Sequence, residues 1–314
     1  MPVHESAQPR IAFCCAHTQP EPWLKGLRSA VPGAQVSVWE PGQAIADYAV
    51  VWAPPQAFFD EQTQLKAIFN IGAGVDALMR LRLPQGVPVV RLEDAGMAVQ
   101  MAEYVCQSVI RFFRELDVVE SSMRQAKWEL RKPRRRKEFP VGVLGLGVLG
   151  QRVAQALSHF EFPVLGFSRS PKQVPGVQCF HGESQWMDFL GRCRVLVNLL
   201  PLTTDTQGIL NRQTLSSLMP GAYLVNVARG AHLVEQDLLD LIHSGHMAGA
   251  TLDVFCEEPL PPQHPFWHEP RLILTPHTSA RTLREDTIEQ IAGKLAALIK
   301  GEKISGQVDL GAGY

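Results

Sequence analysis

The sequence lacks any pair of cysteines at the spacing of a metal site or a redox motif. Its six cysteines form no Cys-x-x-Cys, and two of them, Cys14 and Cys15, are adjacent. This usage is typical of free thiols in a reducing compartment, so we expect a cytoplasmic protein. Two histidine pairs, three and four residues apart, have no cysteine or acidic partner at ligand spacing. We therefore expect no metal site.

Long apolar runs, a secretory signal and an excess of one charge are missing as well. No stretch is long and apolar enough to span a bilayer, and no basic segment leads into an apolar run at the N-terminus. The net charge is only −1, so we expect neither a nucleic-acid nor a membrane partner. One local exception is the basic run Arg131–Lys137, for which a solvated loop, a nuclear signal and a polyanion patch are alternatives.

A glycine motif near the middle of the chain indicates a dinucleotide site. The apolar run Val141–Leu144 is typical of a strand and leads directly into Gly-x-Gly-x-x-Gly, after which apolar residues recur at helical spacing. The glycines permit a tight turn, close approach of a pyrophosphate and close helix packing, and the helix N-terminus binds the phosphates. A glycine-rich turn without a ligand is the alternative. The expected cofactor contacts are Gly145, Gly147, Val148, Leu149 and Gly150.

The residues after the next predicted strand, Phe162–Phe167, favour one dinucleotide over the other. An NAD site usually places an acid about 20 residues past the glycines, where it bonds the ribose 2′-hydroxyl. Here Ser168, Arg169 and Lys172 occupy that region, and no carboxylate would repel a 2′-phosphate. Arg169 offers two N–H groups to such a phosphate and Ser168 a further donor. The pattern favours NADPH, with NADH as the alternative cofactor and a plain surface arginine as the alternative interpretation.

Length and periodicity predict two α/β domains. The 314 residues exceed most single domains, and 46% of them are hydrophobic. Short apolar runs alternate with helical stretches in both halves, which is typical of doubly wound parallel sheets. Residues 102–284 would form a Rossmann dinucleotide-binding domain. Residues 1–101 and 285–314 would form a discontinuous, flavodoxin-like domain, because a long helix over about 99–124 links the halves and a last helix, roughly 284–299, crosses back.

Candidate catalytic residues follow three of the later strands. Arg229, Glu258 and His277 come shortly after apolar runs, and open α/β sheets place ligands at the carboxyl ends of their strands. We therefore expect these three side chains to converge. The predicted strands are Ala222–Val227, Gly249–Val254 and Leu272–Thr275.

The motifs around these residues, in this order after the glycines, resemble the D-2-hydroxyacid dehydrogenase family. They are Ala-Arg-Gly at Arg229, Asp-Val-Phe-x-x-Glu-Pro-Leu at Glu258 and Thr-Pro-His at His277. The resemblance covers essentially the whole chain. Segments at Trp52 and Ile71–Asp76, together with residues 91–97 and 306–309, are similar to the glyoxylate/hydroxypyruvate reductase A subgroup.

The resemblance implies an NADPH-preferring reductase of glyoxylate and hydroxypyruvate that forms a homodimer. Arg229, always charged and fork-shaped, would hold the substrate carboxylate and keto oxygen together. His277 would donate the proton, since imidazole titrates near working pH. Glu258 would orient that ring and favour its protonated form. The resemblance also implies that Ala73 and Gly74 hold the carboxylate through their N–H groups. Further cofactor contacts are expected from Leu200, Pro201, Val227, Ala228 and Asp253.

Structural alternatives exist for each candidate. Arg229 could brace a loop, Glu258 could pair with a surface cation, and His277 could be a satisfied structural histidine. Trp52 fits core packing as well as it fits the lining of a substrate pocket. At the level of the whole protein, the alternatives are a D-isomer-specific dehydrogenase of a bulkier 2-hydroxy acid and a non-enzymatic nucleotide-sensing scaffold or corepressor. The sequence leaves substrate size, direction of reaction and oligomeric state open.

Overall fold

The structure, a computed structural model, describes residues 8–311. In it the chain divides into two compact units, one of Met1–Gly96 with Thr282–Tyr314 and one of Met97–Arg281. The limit predicted between residues 101 and 102 would cut the continuous helix Met97–Phe113, and the structure places the division at the start of that helix. No helix within the described residues is long and apolar enough to cross a membrane.

The elements are numbered here in chain order. The strands are β1 (Arg10–Cys15), β2 (Gln35–Val38), β3 (Tyr48–Trp52), β4 (Ala67–Asn70), β5 (Val89–Val90), β6 (Val141–Leu144), β7 (Val164–Ser168), β8 (Val177–His181), β9 (Val195–Asn198), β10 (Ala222–Asn226), β11 (Met247–Leu252) and β12 (Leu272–Leu274). The helices are α1 (Pro20–Ala30), α2 (Gln56–Glu61), α3 (Met97–Phe113), α4 (Leu116–Arg124), α5 (Val148–His159), α6 (Trp186–Gly191), α7 (Arg212–Ser216), α8 (Glu235–His243) and α9 (Arg284–Ile299).

The first unit contains a five-stranded parallel sheet in the order β2-β1-β3-β4-β5. This is the flavodoxin-like order, so the fold expected for the discontinuous domain is confirmed. Every residue of β4 is buried, as expected for a strand covered on both faces. Helix α9 has the predicted bounds and packs against α1, which returns the C-terminal segment to this unit.

The second unit contains a seven-stranded parallel sheet in the order β12-β11-β10-β9-β6-β7-β8. The strand order reverses beside β6, where the chain runs outward first to β7 and β8 and later to β9 on the other side. This is the Rossmann arrangement, and ligands bind at such a reversal. The two faces of the sheet are covered by separate apolar clusters, one containing α8 and the other α3 and α5.

The single helix predicted over about 99–124 is wrong, because the structure has two helices there. Helix α3 ends at Phe113, and Glu115 adopts a left-handed backbone conformation with φ 52° before α4 begins. The Glu115 carboxylate accepts ion pairs from Arg131 at 2.6 Å and Arg134 at 2.8 Å. These partners lie far along the chain, so the local amphipathic pattern gives no sign of the break.

The same contacts give part of the basic run Arg131–Lys137 a structural role. Besides the Glu115 pairs, the Arg134 guanidinium lies over the rings of Phe112 and Phe139. Arg136 lies over Phe113 at 5.3 Å from the ring centroid. Within the second unit, part of this positive charge therefore packs against its own protein.

Candidate active site

The glycine loop between β6 and α5 has the geometry that its sequence predicts. Gly145 has φ +93°, and a Cβ there would lie 2.8 Å from the carbonyl oxygen of Leu199. At Gly150 an added Cβ would overlap the carbonyl oxygen of Gly145, so the helix can pack here only without a side chain. At Gly147, which precedes the first turn of α5, no described atom lies within 4 Å of a Cβ position. The loop therefore leaves room beside a helix N-terminus, as a pyrophosphate requires.

The end of β7 differs in one detail from the expected phosphate site. Ser168 is buried, and its hydroxyl donates to the Ser170 carbonyl at 2.8 Å. A hydroxyl has one proton, so this donor is already engaged within the loop. Arg169 and Lys172 are both exposed. The cationic side chains, rather than Ser168, are the accessible groups of this segment.

Two buried asparagines join the ends of β9 and β10. Asn198 and Asn226 are paired in register and fully buried, and the Asn198 amide donates to the Asn226 Oδ1 at 3.0 Å. Asn198 also accepts from the Leu200 N–H, and Asn226 from the Ala228 N–H. These bonds hold the two loops that contain four of the predicted cofactor contacts. Leu200 and Pro201 are half-buried, whereas Val227 and Ala228 are buried.

Arg229 lies in the loop after β10 in an extended backbone conformation. Its carbonyl accepts from the Asn226 amide at 3.1 Å, and one of its guanidinium nitrogens donates to the Ala228 carbonyl at 2.7 Å. The next residue, Gly230, has no space for a side chain because the Phe255 backbone lies against it. The arginine loop and the loop after β11 are therefore in direct contact.

His277 and Glu258 form the expected pair. The His277 Nδ1 lies 2.8 Å from the Glu258 Oε2, and both side chains are partly exposed. Burial works to raise the pKa of Glu258, yet the His277 contact, the Phe255 N–H and the charge of Arg229 together hold that pKa below its ordinary value. Glu258 is consequently a carboxylate at neutral pH. Because that carboxylate occupies the Nδ1 side, the imidazole directs Nε2 toward other partners.

Asp253 supports the loop of His277 rather than standing open to a ligand. Its side chain is fully buried, and it accepts from the Thr278 N–H and the Ser279 N–H, both at 2.8 Å, and from the Thr275 hydroxyl at 2.5 Å. The Tyr104 hydroxyl contacts that same Thr275 oxygen. The nicotinamide contact expected of Asp253 stays a prediction, and its observed partners all belong to this loop and its support.

In the first unit, the buried Asn70 shapes the loop that follows β4. Its amide nitrogen donates to the carbonyls of Gly72 and Gly74, each at 2.9 Å. Because a trans peptide directs its N–H opposite to its C=O, the N–H of Ala73 points away from Asn70. The indole of Trp52, 39% exposed, covers Gly72 and leaves no space for a side chain there.

Sequence reasoning missed this supporting set, which comprises Asn70, Tyr104 and Asn198. The sequence does contain a signal for the asparagines, since β4, β9 and β10 each end in an asparagine after apolar residues. A buried amide at a strand end needs partners and usually finds them in the next loop. Nothing in the local sequence marks Tyr104, which reaches Thr275 from a helix far away in the chain.

In each of the two histidine pairs, His243 with His246 and His264 with His268, one histidine contacts a carboxylate. His243 contacts Glu269 at 3.0 Å, and His264 contacts Glu235 at 3.2 Å. Across residues 8–311, no group of three or more histidine, cysteine, aspartate or glutamate residues is arranged to hold a metal ion.

Several curated proteins are similar to this chain over nearly its full length. The glyoxylate/hydroxypyruvate reductase A of Serratia proteamaculans is 49% identical over 301 residues, covering 94% of this chain and 96% of that protein. The protein of the same name from Yersinia enterocolitica is 45% identical over 311 residues, covering 97% and 99%.

Solved structures are similar in fold as well as in sequence. A D-isomer specific 2-hydroxyacid dehydrogenase from Xanthobacter autotrophicus, in complex with NADPH and MES, is 38% identical with a TM-score of 0.94, covering 98% of this chain and 100% of that one. An NADPH-dependent glyoxylate/hydroxypyruvate reductase from Sinorhizobium meliloti, in complex with NADP and sulfate, is 32% identical with a TM-score of 0.92 and the same coverage.

The family model of the D-isomer specific 2-hydroxyacid dehydrogenase NAD binding domain matches residues 106–279. This span contains the glycine loop, Arg229, Glu258 and His277. With full-length relatives at nearly half identity, the chain belongs to the D-isomer specific 2-hydroxyacid dehydrogenase family.

Proposed function

We propose that this protein is an NADPH-preferring reductase of small 2-keto acids, which converts glyoxylate to glycolate and hydroxypyruvate to D-glycerate. The observation that carries the proposal is the 2.8 Å contact between His277 and the Glu258 carboxylate, in loops adjoining that of Arg229. The names of the similar reductases support the choice of keto acids.

His277 is the proton donor in this reaction. Its Nδ1 is held by Glu258, so the proton that leaves belongs to Nε2 and goes to the keto oxygen. The Glu258 carboxylate stabilises the charged ring before the transfer and fixes its orientation. The partial exposure of His277 leaves this nitrogen accessible to a substrate.

Arg229 binds the substrate carboxylate and polarises the keto carbonyl. Its planar guanidinium has five N–H donors in a fixed fork, and one of them is engaged with the Ala228 carbonyl. Arg229 thereby stabilises the negative charge that develops on the keto oxygen as it is reduced. The Ala73 N–H, which points away from Asn70, the Gly74 N–H and Trp52 are further proposed substrate contacts.

NADPH, when bound, supplies the hydride. The chain's own groups fit this cofactor, since the space at Gly147 beside the N-terminus of α5 suits a pyrophosphate. Arg169 and Lys172 are the exposed cations that would bind a 2′-phosphate. Leu200 and Pro201 would contact the nicotinamide. A homodimer and a cytoplasmic location are further parts of the proposal, carried by the resemblance and by the six free thiols.

The test is a panel of 2-keto acids with NADPH and NADH, followed by the nicotinamide absorbance. We expect the highest kcat/KM with glyoxylate and hydroxypyruvate and with NADPH. D-Glycerate should be the product of hydroxypyruvate, measured by chiral chromatography. A higher kcat/KM with a bulkier keto acid would favour a D-isomer-specific dehydrogenase of another substrate. Absence of turnover with NADPH bound would favour the nucleotide-sensing scaffold.

A further inference from the structure

His232 lies between two of the loops described above. It ends the short 3-10 turn Gly230–His232 that follows Arg229, and its side chain is fully buried. The ring Nδ1 lies 3.2 Å from the carbonyl oxygen of Arg229, and the Nε2 lies 3.2 Å from the carbonyl oxygen of Pro201. One imidazole therefore contacts both the arginine loop and the loop after β9.

We propose that His232 is a positioning residue, which fixes the distance between Arg229 and Pro201 during keto-acid reduction. The proposal rests on the function proposed above, in which Arg229 holds the keto acid and Pro201 adjoins the nicotinamide. Hydride transfer requires the keto carbon and the nicotinamide to approach to about 3–3.5 Å, and small displacements slow it strongly. A residue that contacts both loops controls that approach without touching either reactant.

The Arg229 side of this bridge is part of a larger buried network. The Arg229 carbonyl also accepts from the Asn226 amide at 3.1 Å, and Asn226 is bonded to Asn198. The backbone of Arg229 is thus fixed from two directions, by the end of β10 and by His232. The direction of the Arg229 side chain therefore depends on both contacts, because the side chain extends from this backbone.

The Pro201 side is braced in a similar way. The Thr206 hydroxyl donates to the Pro201 carbonyl at 2.7 Å and accepts from the Thr203 N–H at 2.8 Å. Thr206 therefore fixes the shape of this loop, whereas His232 fixes its position relative to Arg229. The main chain adds a parallel contact, since the Leu210 N–H donates to the His232 carbonyl at 2.8 Å.

The test compares two substitutions of His232 with a control. His232→Phe keeps a planar ring but removes both nitrogens, and His232→Asn has a shorter side chain that reaches at most one of the two carbonyls. His246→Leu is the control, because His246 directly precedes β11 and so lies at the amino end of that strand. The loops of Arg229 and Pro201 follow the carboxyl ends of β10 and β9 in the same sheet. For each protein the kcat, the KM of glyoxylate, the Kd of NADPH from fluorescence, the Tm and the deuterium isotope effect with 4-deuterated NADPH are measured.

We expect His232→Phe to lower kcat roughly 10- to 100-fold, the range that a misplaced reactant produces. The isotope effect on kcat should rise, because hydride transfer becomes the slow step, and the Kd of NADPH should rise several-fold. His232→Asn should show a smaller fall in kcat with the same rise in isotope effect. His246→Leu should leave kcat and the isotope effect at parental values.

A parental kcat and isotope effect in either folded His232 variant would overturn the proposal. So would a fall in kcat that only follows the folded fraction, since that indicates a purely structural residue. If the Phe variant does not fold, the Asn variant decides. If the parent itself reduces no keto acid, the proposed function has failed, and the Kd of NADPH still tests the contact: an unchanged Kd in both variants overturns it.

Discussion

The carboxyl edges of the two sheets are organised differently. In the seven-stranded sheet, the fully buried Asn198, Asn226 and Asp253 stand at or beside the ends of three neighbouring strands. Asn198 and Asn226 bond the loops that follow their strands, and Asp253 bonds the loop after β12. In the five-stranded sheet, Asn70 at the end of β4 holds two backbone carbonyls of the loop Gly72–Gly74. Buried side chains thus hold loop backbone at both edges. In the seven-stranded sheet they also bond further side chains, Asn198 to Asn226 and Asp253 to the Thr275 hydroxyl, whereas Asn70 donates to backbone carbonyls.

Under the proposed function, His277 acts in the chemical step, whereas Ala73 and Gly74 act in substrate binding. A proton donor must be aimed within tenths of an ångström, and the buried Asp253 carboxylate provides several charge-assisted hydrogen bonds to the loop of His277. A carboxylate ligand needs only outward N–H groups, which a short glycine loop supplies at little steric cost. We therefore expect substitutions at the edge of the second unit to lower kcat, and those at the edge of the first unit to raise the KM of the keto acid.

The largest effect is expected from His277→Ala. It removes the proposed proton donor and should lower kcat roughly 100- to 10,000-fold, the range for loss of a general acid. NADPH binding, measured by fluorescence titration, should survive because the glycine loop is untouched. Near-parental kcat would remove His277 from the mechanism, and loss of NADPH binding would indicate misfolding instead.

Asp253→Asn tests whether the support of the His277 loop matters as much as the donor. Both carboxylate oxygens accept backbone N–H groups, from Thr278 and Ser279, so either orientation of an amide leaves one N–H facing an NH₂ group. Such a mismatch costs about 1–3 kcal/mol. We expect kcat to fall roughly 10- to 100-fold through a displaced His277. Thr214→Val, a buried threonine of α7 in the same unit, is the control. An unchanged kcat would show that the loop holds its shape without Asp253.

Arg169→Ala tests an exposed side chain of the second unit, in the loop after β7. A hydrogen bond to a charged group contributes about 1.5–3 kcal/mol, and 1.4 kcal/mol corresponds to about tenfold, so the preference for NADPH over NADH should fall roughly 10- to 100-fold. The loss should appear as a higher KM for NADPH and should shrink at high salt. Lys172→Ala is the matched comparison. If Arg169→Ala keeps the parental preference, the discrimination lies elsewhere, with Lys172 as the next candidate.

The sequence predicted the two parallel sheets and the pairing of Glu258 with His277 well, because much of the signal is local. Strand β6, its glycine loop and the pattern of α9 each lie within one continuous segment of sequence. Their periodicity and glycine spacing can therefore be recognised without knowledge of the fold. The break at Glu115 and the contacts of Asp253 depend instead on partners brought together by folding. The Ser168 donor, expected for a phosphate, is engaged by Ser170, a loop contact that residue types alone do not reveal. Supporting residues are therefore harder to predict than reacting ones.

Asn70→Leu addresses the first unit. It removes both donors to the carbonyls of Gly72 and Gly74, so the Ala73 peptide loses its fixed orientation. Each neutral hydrogen bond contributes about 0.5–1.5 kcal/mol, so the loss of both corresponds to a rise in the KM of glyoxylate of roughly 5- to 100-fold. The Kd of NADPH should not change. Gln62→Met, which removes another fully buried amide of this unit, is the control and should affect stability alone. A fall in kcat with parental KM would break the distinction between the two edges.

The smallest effect on activity is expected from Glu269→Gln. Like Asp253, Glu269 is a buried acid of the second unit, and it lies just before β12. It therefore sharpens the comparison by testing whether burial of an acid is enough to affect activity. Hydrogen bonds from Arg271 lower the pKa of Glu269 from 4.5 to about 2. Because the folded state lowers this pKa, the stabilisation is fully present above pH 4.5 and is lost as the pH falls toward 2. At pH 7 the variant should be less stable by about 1.5–3 kcal/mol, and the gap between variant and parent should narrow over that acidic range. Urea unfolding at pH 7, 4 and 3 measures the gap, while kcat and KM at pH 7 should equal those of the parent. A constant gap would show that Glu269 does not act through its charge. A lowered kcat would show that any buried acid of this unit affects activity, whether or not it contacts the loop of His277.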